Sequence, residues 1–395
     1  MDLENLDKWA RIKGIKVLGT GDFSHPEWLK SLKEKLEPAE PGLFKIKKQD
    51  NATRFILTNE ISCIYSKNNR VRKIHVLLFA PSFEVVDKIN VQLGWIGNLK
   101  SDGRPILGLD AKELAKIVLG ASNDCLVVLA HCMTPWFAIF GSKSGFDSIE
   151  ECFEDLSKYI YAMETGLSAS PEMLWRMPDG RKLTLISNSD AHSPKKIGRE
   201  ANVFDTELSY KAIIEAIKTK DPKKFLYTIE FFPEEGKYHF DGHRNCDIRL
   251  SPTETKKYNG ICPVCGKPLT VGVLSRVDEL SDKKEGFKLE NAIPFKSLVP
   301  LQEIIADALG MTTASKEVEK SYKNLIEQFG SEFDILLDIS PERLKSAARS
   351  EIAEGILRVR QGKVSKEPGY DGVFGKIRIF GKGEEKKLSN QKTLF

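Results

Sequence analysis

Leu126-Val127-Val128-Leu129-Ala130-His131 is a short, β-branched apolar run that ends on a metal-ligand side chain. Five more runs in the first half of the chain carry the same signature. Ile15-Lys16-Val17-Leu18 leads through Gly19-Thr20-Gly21 to Asp22 and His25, and Phe55-Ile56-Leu57 leads to Glu60. His75 opens Val76-Leu77-Leu78-Phe79, Tyr159-Ile160-Tyr161-Ala162 leads to Glu164, and Leu183-Thr184-Leu185-Ile186 leads to Asp190 and His192. Short β-rich runs separated by helical stretches predict parallel strands with helical crossovers. In closed barrels of that kind the chemistry gathers at the C-terminal strand ends. The expectation is therefore an α/β barrel with a metal centre at its mouth.

The mixed set of Asp22, His25, Glu60, His75, His131, Asp190 and His192 suits Zn²⁺, Mn²⁺ or Mg²⁺, two or three ions in all, with Glu60 a bridging carboxylate. A lone histidine on an apolar run is usually a satisfied core residue. Four of the chain's six histidines at or beside such runs argue otherwise. Glu164 reads equally as ligand, substrate contact or loop acid, and Lys100 and Arg104 are candidate phosphate clamps.

A second site is written in the middle of the chain. His243-x2-Cys246 precedes Cys262-Pro263-Val264-Cys265-Gly266. The two-residue spacings let each pair face one ion, and Gly266 relaxes the turn, so His243, Cys246, Cys262 and Cys265 read as a closed, structural Zn²⁺ site. His239 competes with His243 for the fourth position. Cys63, Cys125, Cys132 and Cys152 are scattered and read as core residues.

No stretch approaches the roughly 18 apolar residues of a membrane span, and Met1-Asp2-Leu3-Glu4-Asn5 is no signal peptide. The cysteine usage fits a cytoplasmic protein with reduced thiols. After Leu357 there are ten Lys or Arg against four acids, which leaves the preceding residues at about −2 of a net +4. A basic end on a near-neutral body points to a polyanion contact. The expected organisation is a barrel over residues 1–230, a zinc module over 231–292, a helical DNA-binding region over 293–380 and a flexible basic tail over 381–395. Predicted helices include Leu3–Lys13, Pro26–Leu36, Ser82–Gln92, Ala111–Leu119, Ser209–Lys218, Leu301–Leu309, Ser315–Phe329 and one long helix, Pro341–Arg360.

Taken together, Gly19-Thr20-Gly21-Asp22-Phe23-Ser24-His25, Asn59-Glu60-Ile61, His75-Val76-Leu77, Ala130-His131 and Ser187-Asn188-Ser189-Asp190-Ala191-His192 resemble the ordered motifs of the PHP (polymerase and histidinol phosphatase) superfamily. Ser101-Asp102-Gly103-Arg104-Pro105, Glu164-Thr165-Gly166-Leu167-Ser168 and the cysteine module narrow the resemblance to endonuclease Q. It implies a PHP-type distorted (β/α)7 barrel and incision of double- or single-stranded DNA 5′ to hypoxanthine, uracil, xanthine or an abasic site. It implies Asp190, His131 and Glu60 as the catalytic metal-binding core. Such proteins open with a strand bearing His-x-His, which this sequence lacks. Two readings follow: the true start lies upstream, or one metal site is lost and activity with it. The competing functions are a small-molecule phosphoesterase and a non-catalytic DNA-binding protein. No G-x-x-x-x-G-K-[ST] loop is present, which argues against an ATP-driven motor. Gln391-Lys392-Thr393-Leu394-Phe395 resembles peptides that dock on replication sliding clamps.

Overall fold

The computed structural model describes residues 2–49, 53–101 and 103–381. Nine strands form one curled half-barrel sheet: β1 Val17–Gly19, β2 Leu36–Pro38, β3 Phe44–Ile46, β4 Arg54–Lys67, β5 Arg70–Ala80, β6 Ile106–Leu107, β7 Leu126–Leu129, β8 Ala162–Glu164 and β9 Thr184–Ile186. The order is β2-β3-β4-β5-β7-β8-β9, with β1 and β6 both on β4. Strands β7, β8 and β9 are parallel, as is β1 against β4.

The expectation of uniformly parallel strands fails at the centre. β4 and β5 form a long antiparallel hairpin, and β5 runs antiparallel to β7. The cause is local. Asn68 and Asn69 both take left-handed backbone (φ 55° and 57°) between the paired residues Lys67 and Arg70. Two such residues make the turn whose twist matches a hairpin. Glu60 and His75 consequently sit within strands, not at strand ends.

Alternation along β7 buries both faces of the sheet. Val127 and Leu129 join a core with Phe23, Phe55 and Phe140, while Leu126 and Val128 pack with Ile56, Ile186 and Phe225 on the other side. A strand covered on both faces reads as a continuous apolar run. Each fully buried aliphatic side chain contributes about 1.5–3 kcal/mol.

Helices Leu3–Lys13, Phe83–Ile96, Ala111–Ala121 and Tyr210–Thr219 start on the side-chain caps Asp2, Ser82, Asp110 and Ser209. The predicted helix Pro341–Arg360 is two helices, Pro341–Ala347 and Ser350–Arg360. Ala348 and Arg349 are extended between them, and Arg349 pairs with the buried carboxylate of Glu351 at 2.5 Å. Extension at the break supplies a buried acid with its partner.

Beyond the half-barrel, β10 (Ala201–Phe204) is antiparallel to β11 (Phe225–Glu230). A cysteine-bearing excursion carries β12 (Asp241–His243) and β13 (Ile248–Leu250). The chain then returns as β14 (Phe295–Ser297), parallel to β11. β15 (Ser365–Glu367) pairs with β16 (Lys376–Arg378). The C-terminal helices pack on Trp9 and Ile12 of the first helix. There Lys13 Nζ meets Glu332 Oε2 at 2.7 Å, and Glu332 also accepts from Tyr322 (2.6 Å) and the Leu301 N–H (3.0 Å). No helix among the described residues is long and apolar enough to cross a membrane. Gln391–Phe395 lies outside the described residues.

Candidate metal centre

Cross-strand register brings the first ligands together. Ser62 pairs with His75 and Glu60 with Leu77, so Glu60 and His75 are diagonal neighbours on one face. His131 follows β7, where the Ala130 N–H donates to the His75 carbonyl at 3.2 Å. Glu60 Oε1 lies 2.9 Å from His75 Nδ1 and 3.4 Å from His131 Nε2, and the two ring nitrogens are 3.0 Å apart.

The protons can be assigned. The Thr134 hydroxyl donates to the Trp136 carbonyl at 2.9 Å and lies 3.0 Å from His131 Nδ1. Its one proton is then used, so His131 Nδ1–H donates to it, and in the neutral imidazole Nε2 keeps its lone pair. Arg104 has only donors, so its Nη1, 3.1 Å from His75 Nδ1, requires a lone pair there too. Three acceptor atoms thus face one another, and the buried Glu60 Oε1 takes no well-formed hydrogen bond among the described residues. A cation resolves this. Metal–ligand bonds of ~2.0–2.1 Å give ligand–ligand edges of ~3 Å, which the three separations match.

Other predicted ligands border this trio. Asp190 Oδ1 is 3.4 Å from Arg104 Nη2, and Arg104 Nε is 3.1 Å from Glu60 Oε2. Burial, and next to it Glu60, push the Asp22 carboxyl above its usual value. His25 caps helix Pro26–Lys35 through Nδ1, and His192 is largely exposed with Nδ1 2.9 Å from the Asp190 carbonyl. Among the described residues the compact group is Glu60, His75 and His131; Asp22, His25, Asp190 and His192 fall outside it. Asp22, His131 and Asp190 all have positive φ (45°, 28° and 42°). Left-handed backbone is uncommon outside glycine and clusters at functional sites.

Glu164 spends both oxygens on positioning: one accepts from the His131 N–H (2.9 Å) and the other from Asn188 Nδ2 (2.7 Å). Burial pushes its pKa up to about 7. Asn202 in turn clamps the loop after β9, accepting from the Ser187 N–H and donating to the Ser187 carbonyl and the Asn188 side chain. Thr134, Asn188 and Asn202 carried no sequence signal beyond nearness to a candidate ligand.

The second cluster is closed. Ligand atoms of His243, Cys246, Cys262 and Cys265 all lie within 4.8 Å of one another, with Cys265 Sγ 3.4 Å from His243 Nδ1. His239 is elsewhere, buried with Nδ1 3.2 Å from the Ser168 carbonyl. Gly266 is left-handed (φ 71°), and its N–H closes the turn onto the Cys262 carbonyl at 2.9 Å. Burial opposes a Cys262 thiolate, but the Cys265 and Val264 backbone N–H groups outweigh it and bring its pKa down to about 6. One histidine and three thiols suit tetrahedral zinc. Cys63, Cys125, Cys132 and Cys152 are buried.

Residues 177–222 match the family model described as PHP-associated, and residues 300–363 match that of the MJ0043 C-terminal domain. Protein MJ0043 of Methanocaldococcus jannaschii is 36% identical over 307 residues, 73% of this chain. The chain spans only 37% of that relative. Protein YqxK of Bacillus subtilis is 28% identical over 93% of this chain and 89% of its own length. Among solved structures, the lesion-specific endonuclease PfuEndoQ from Pyrococcus furiosus superposes with a TM-score of 0.85 at 30% identity, covering 100% of this chain and 94% of that one. Endonuclease Q in complex with a 27-mer duplex substrate bearing an abasic lesion at its active site gives 0.84 at 31% identity, over 97% and 92%.

Proposed function

The chain belongs to the endonuclease Q family, and from that premise we propose that it is a metal-dependent DNA repair endonuclease cutting the phosphodiester 5′ to a deaminated base (hypoxanthine, uracil or xanthine) or an abasic site. The observation that carries the reading is the set of three possible ligand atoms on Glu60, His75 and His131, all within 4.8 Å of one another. Asp22, His25, Asp190 and His192 supply further ligands at the same mouth. Glu60, His75 and His131 would hold a divalent ion, which would supply an acidified water and offset charge on the phosphate oxygens. Glu60 and His75 fix the ligand geometry from a rigid hairpin, and Glu164 holds the His131 backbone. Arg104 directs its donors to non-bridging oxygens. The water oxygen bonds to phosphorus, the P–O3′ bond breaks, and the 3′ oxygen takes up a proton, leaving a 3′-hydroxyl and a 5′-phosphate. Zinc in the Cys/His cluster is structural, and Gln391–Phe395 docks on a sliding clamp.

The test uses labelled duplexes carrying one deoxyinosine, deoxyuridine, abasic site or no lesion, with Mg²⁺ or Mn²⁺. Nicking 5′ to the lesion is expected, lost with chelator and in Asp190→Ala and His131→Ala. Equal cutting of undamaged duplex would remove the lesion selectivity. Hydrolysis of phosphate monoesters without nicking would favour the phosphoesterase reading instead. Deleting Gln391–Phe395 should leave short oligonucleotides cut as before and abolish clamp-dependent stimulation on long DNA.

A further inference from the structure

Thr134, which sets the His131 tautomer, donates its proton to the carbonyl of Trp136. Trp136 is 38% exposed, and its ring meets that of Tyr238 edge-on at 5.6 Å. The neighbouring Phe137 takes positive φ (61°) and lays its ring on His75 at 4.7 Å. A bulky side chain in that backbone region costs of order 1–3 kcal/mol and persists where surroundings dictate it. Next to Tyr238, the Lys237 ammonium lies 4.5 Å above the ring of Phe374, which is 56% exposed, and the Lys237 carbonyl accepts from the Gly372 N–H at 3.0 Å. Phe137, Trp136 and Tyr238 thus lead from the metal centre to Lys237, the next residue in the chain, which lies against the glycine-rich turn at residues 369–375.

We propose that Trp136, Tyr238, Lys237 and Phe374 form a stacking ledge for unpaired nucleotides of the DNA strand beside the scissile phosphate. The inference rests on the endonuclease reading and adds the surface that would take the opened strand. Three features select this occupant. The ledge is hydrogen-bonded through Thr134 to a candidate metal ligand, so whatever lies on it is next to the reacting phosphate. Trp136 and Phe374 expose ring surface that accepts any base face, with the half-buried Tyr238 supporting Trp136, and stacking of this kind does not read sequence. Lys237 adds the positive charge that a phosphate backbone requires.

The experiment is fluorescence anisotropy at several salt concentrations, using single-stranded DNA, a duplex with one abasic site and an undamaged duplex. Trp136→Ala and Phe374→Ala should each weaken binding to the single strand and the lesion duplex about tenfold, with undamaged duplex bound as by the parent and W136F recovering most of the loss. Lys237→Gln should weaken all three and reduce the salt slope by about one charge. Zinc content and melting midpoint, equal to the parent's, separate this outcome from misfolding. If the parent protein neither nicks nor prefers lesion DNA, the endonuclease reading fails and the ledge with it. If the parent nicks while Trp136→Ala and Phe374→Ala bind as it does, the ledge alone is overturned.

Discussion

One hydroxyl proton on Thr134 fixes which nitrogen of His131 is free for a metal. Thr134→Val removes that partner while keeping the volume, so the imidazole loses its preferred tautomer and orientation. Loss of such a partner typically costs 10- to 100-fold in metal affinity, so Mn²⁺ titration calorimetry should show a drop of that size, with Thr134→Ser restoring most of it. The candidates Glu60, His75 and His131, which the fold brings together, were legible in the sequence because apolar strand runs point at them and because histidine is scarce in this chain. The positioning roles were not. Glu164, Asn188 and Asn202 acquire them from contacts between strand and loop residues 14 or more positions apart, and no periodicity marks such a contact. Nor did the sequence reveal the left-handed backbone of Asp22, His131 and Asp190, although Asp and His are, after glycine, among the residues that adopt it most readily.

At the level of elements, the β4–β5 hairpin was the main misreading. Phe55–Leu57 and Val76–Phe79 were recognised as strands, but each is only part of a much longer one. The polar residues that extend them, among them Thr58, Asn59 and Ser62, are buried and satisfy the strand pattern only within the folded sheet. The turn was readable in retrospect: paired asparagines between β-rich runs tolerate the left-handed backbone a tight hairpin needs. Asn69→Gly should therefore be tolerated: Gly meets the left-handed backbone without a Cβ and Asn-Gly is a favoured pair in such turns, while its wider unfolded ensemble offsets the gain. Asn69→Val, β-branched at positive φ, should destabilise the protein. Urea midpoints should place the Val variant clearly below the Gly variant and the parent. Helix caps were more legible, since Ser82, Asp110 and Ser209 act through their own neighbours in sequence.

For the whole molecule, buried acids set the response to pH. Glu235 has its pKa pushed up to about 8 by burial, with Glu303 adding to the shift. Its unfolded value is near 4.5, so between these limits the unfolded chain releases a proton that the folded chain keeps. Stability then falls as pH rises from about 4.5 to about 8 and levels off above. Glu235→Gln should raise the denaturation midpoint at pH 8 and leave it nearly unchanged at pH 4.5. The proposed zinc would act on another part of the molecule. Cys262→Ser removes one of the four candidate ligands, and a structural zinc contributes folding energy directly. Metal analysis should show zinc lost, and proteolysis should begin between residues 231 and 294 while the half-barrel stays protected.

The pairing of β11 with β14 places Thr228 opposite Phe295 and Glu230 opposite Ser297. With strands ~4.8 Å apart and a rise of ~3.3 Å per residue, the points where the chain departs for the cysteine cluster and comes back are roughly 8 Å from each other. Everything between them is a detour between adjacent stations. Parallel strands need a link of about a dozen residues, so most of the stretch over residues 231–294 carries something other than the connection itself, and part of it, Val273 and Val277, is built into the core of the barrel it leaves.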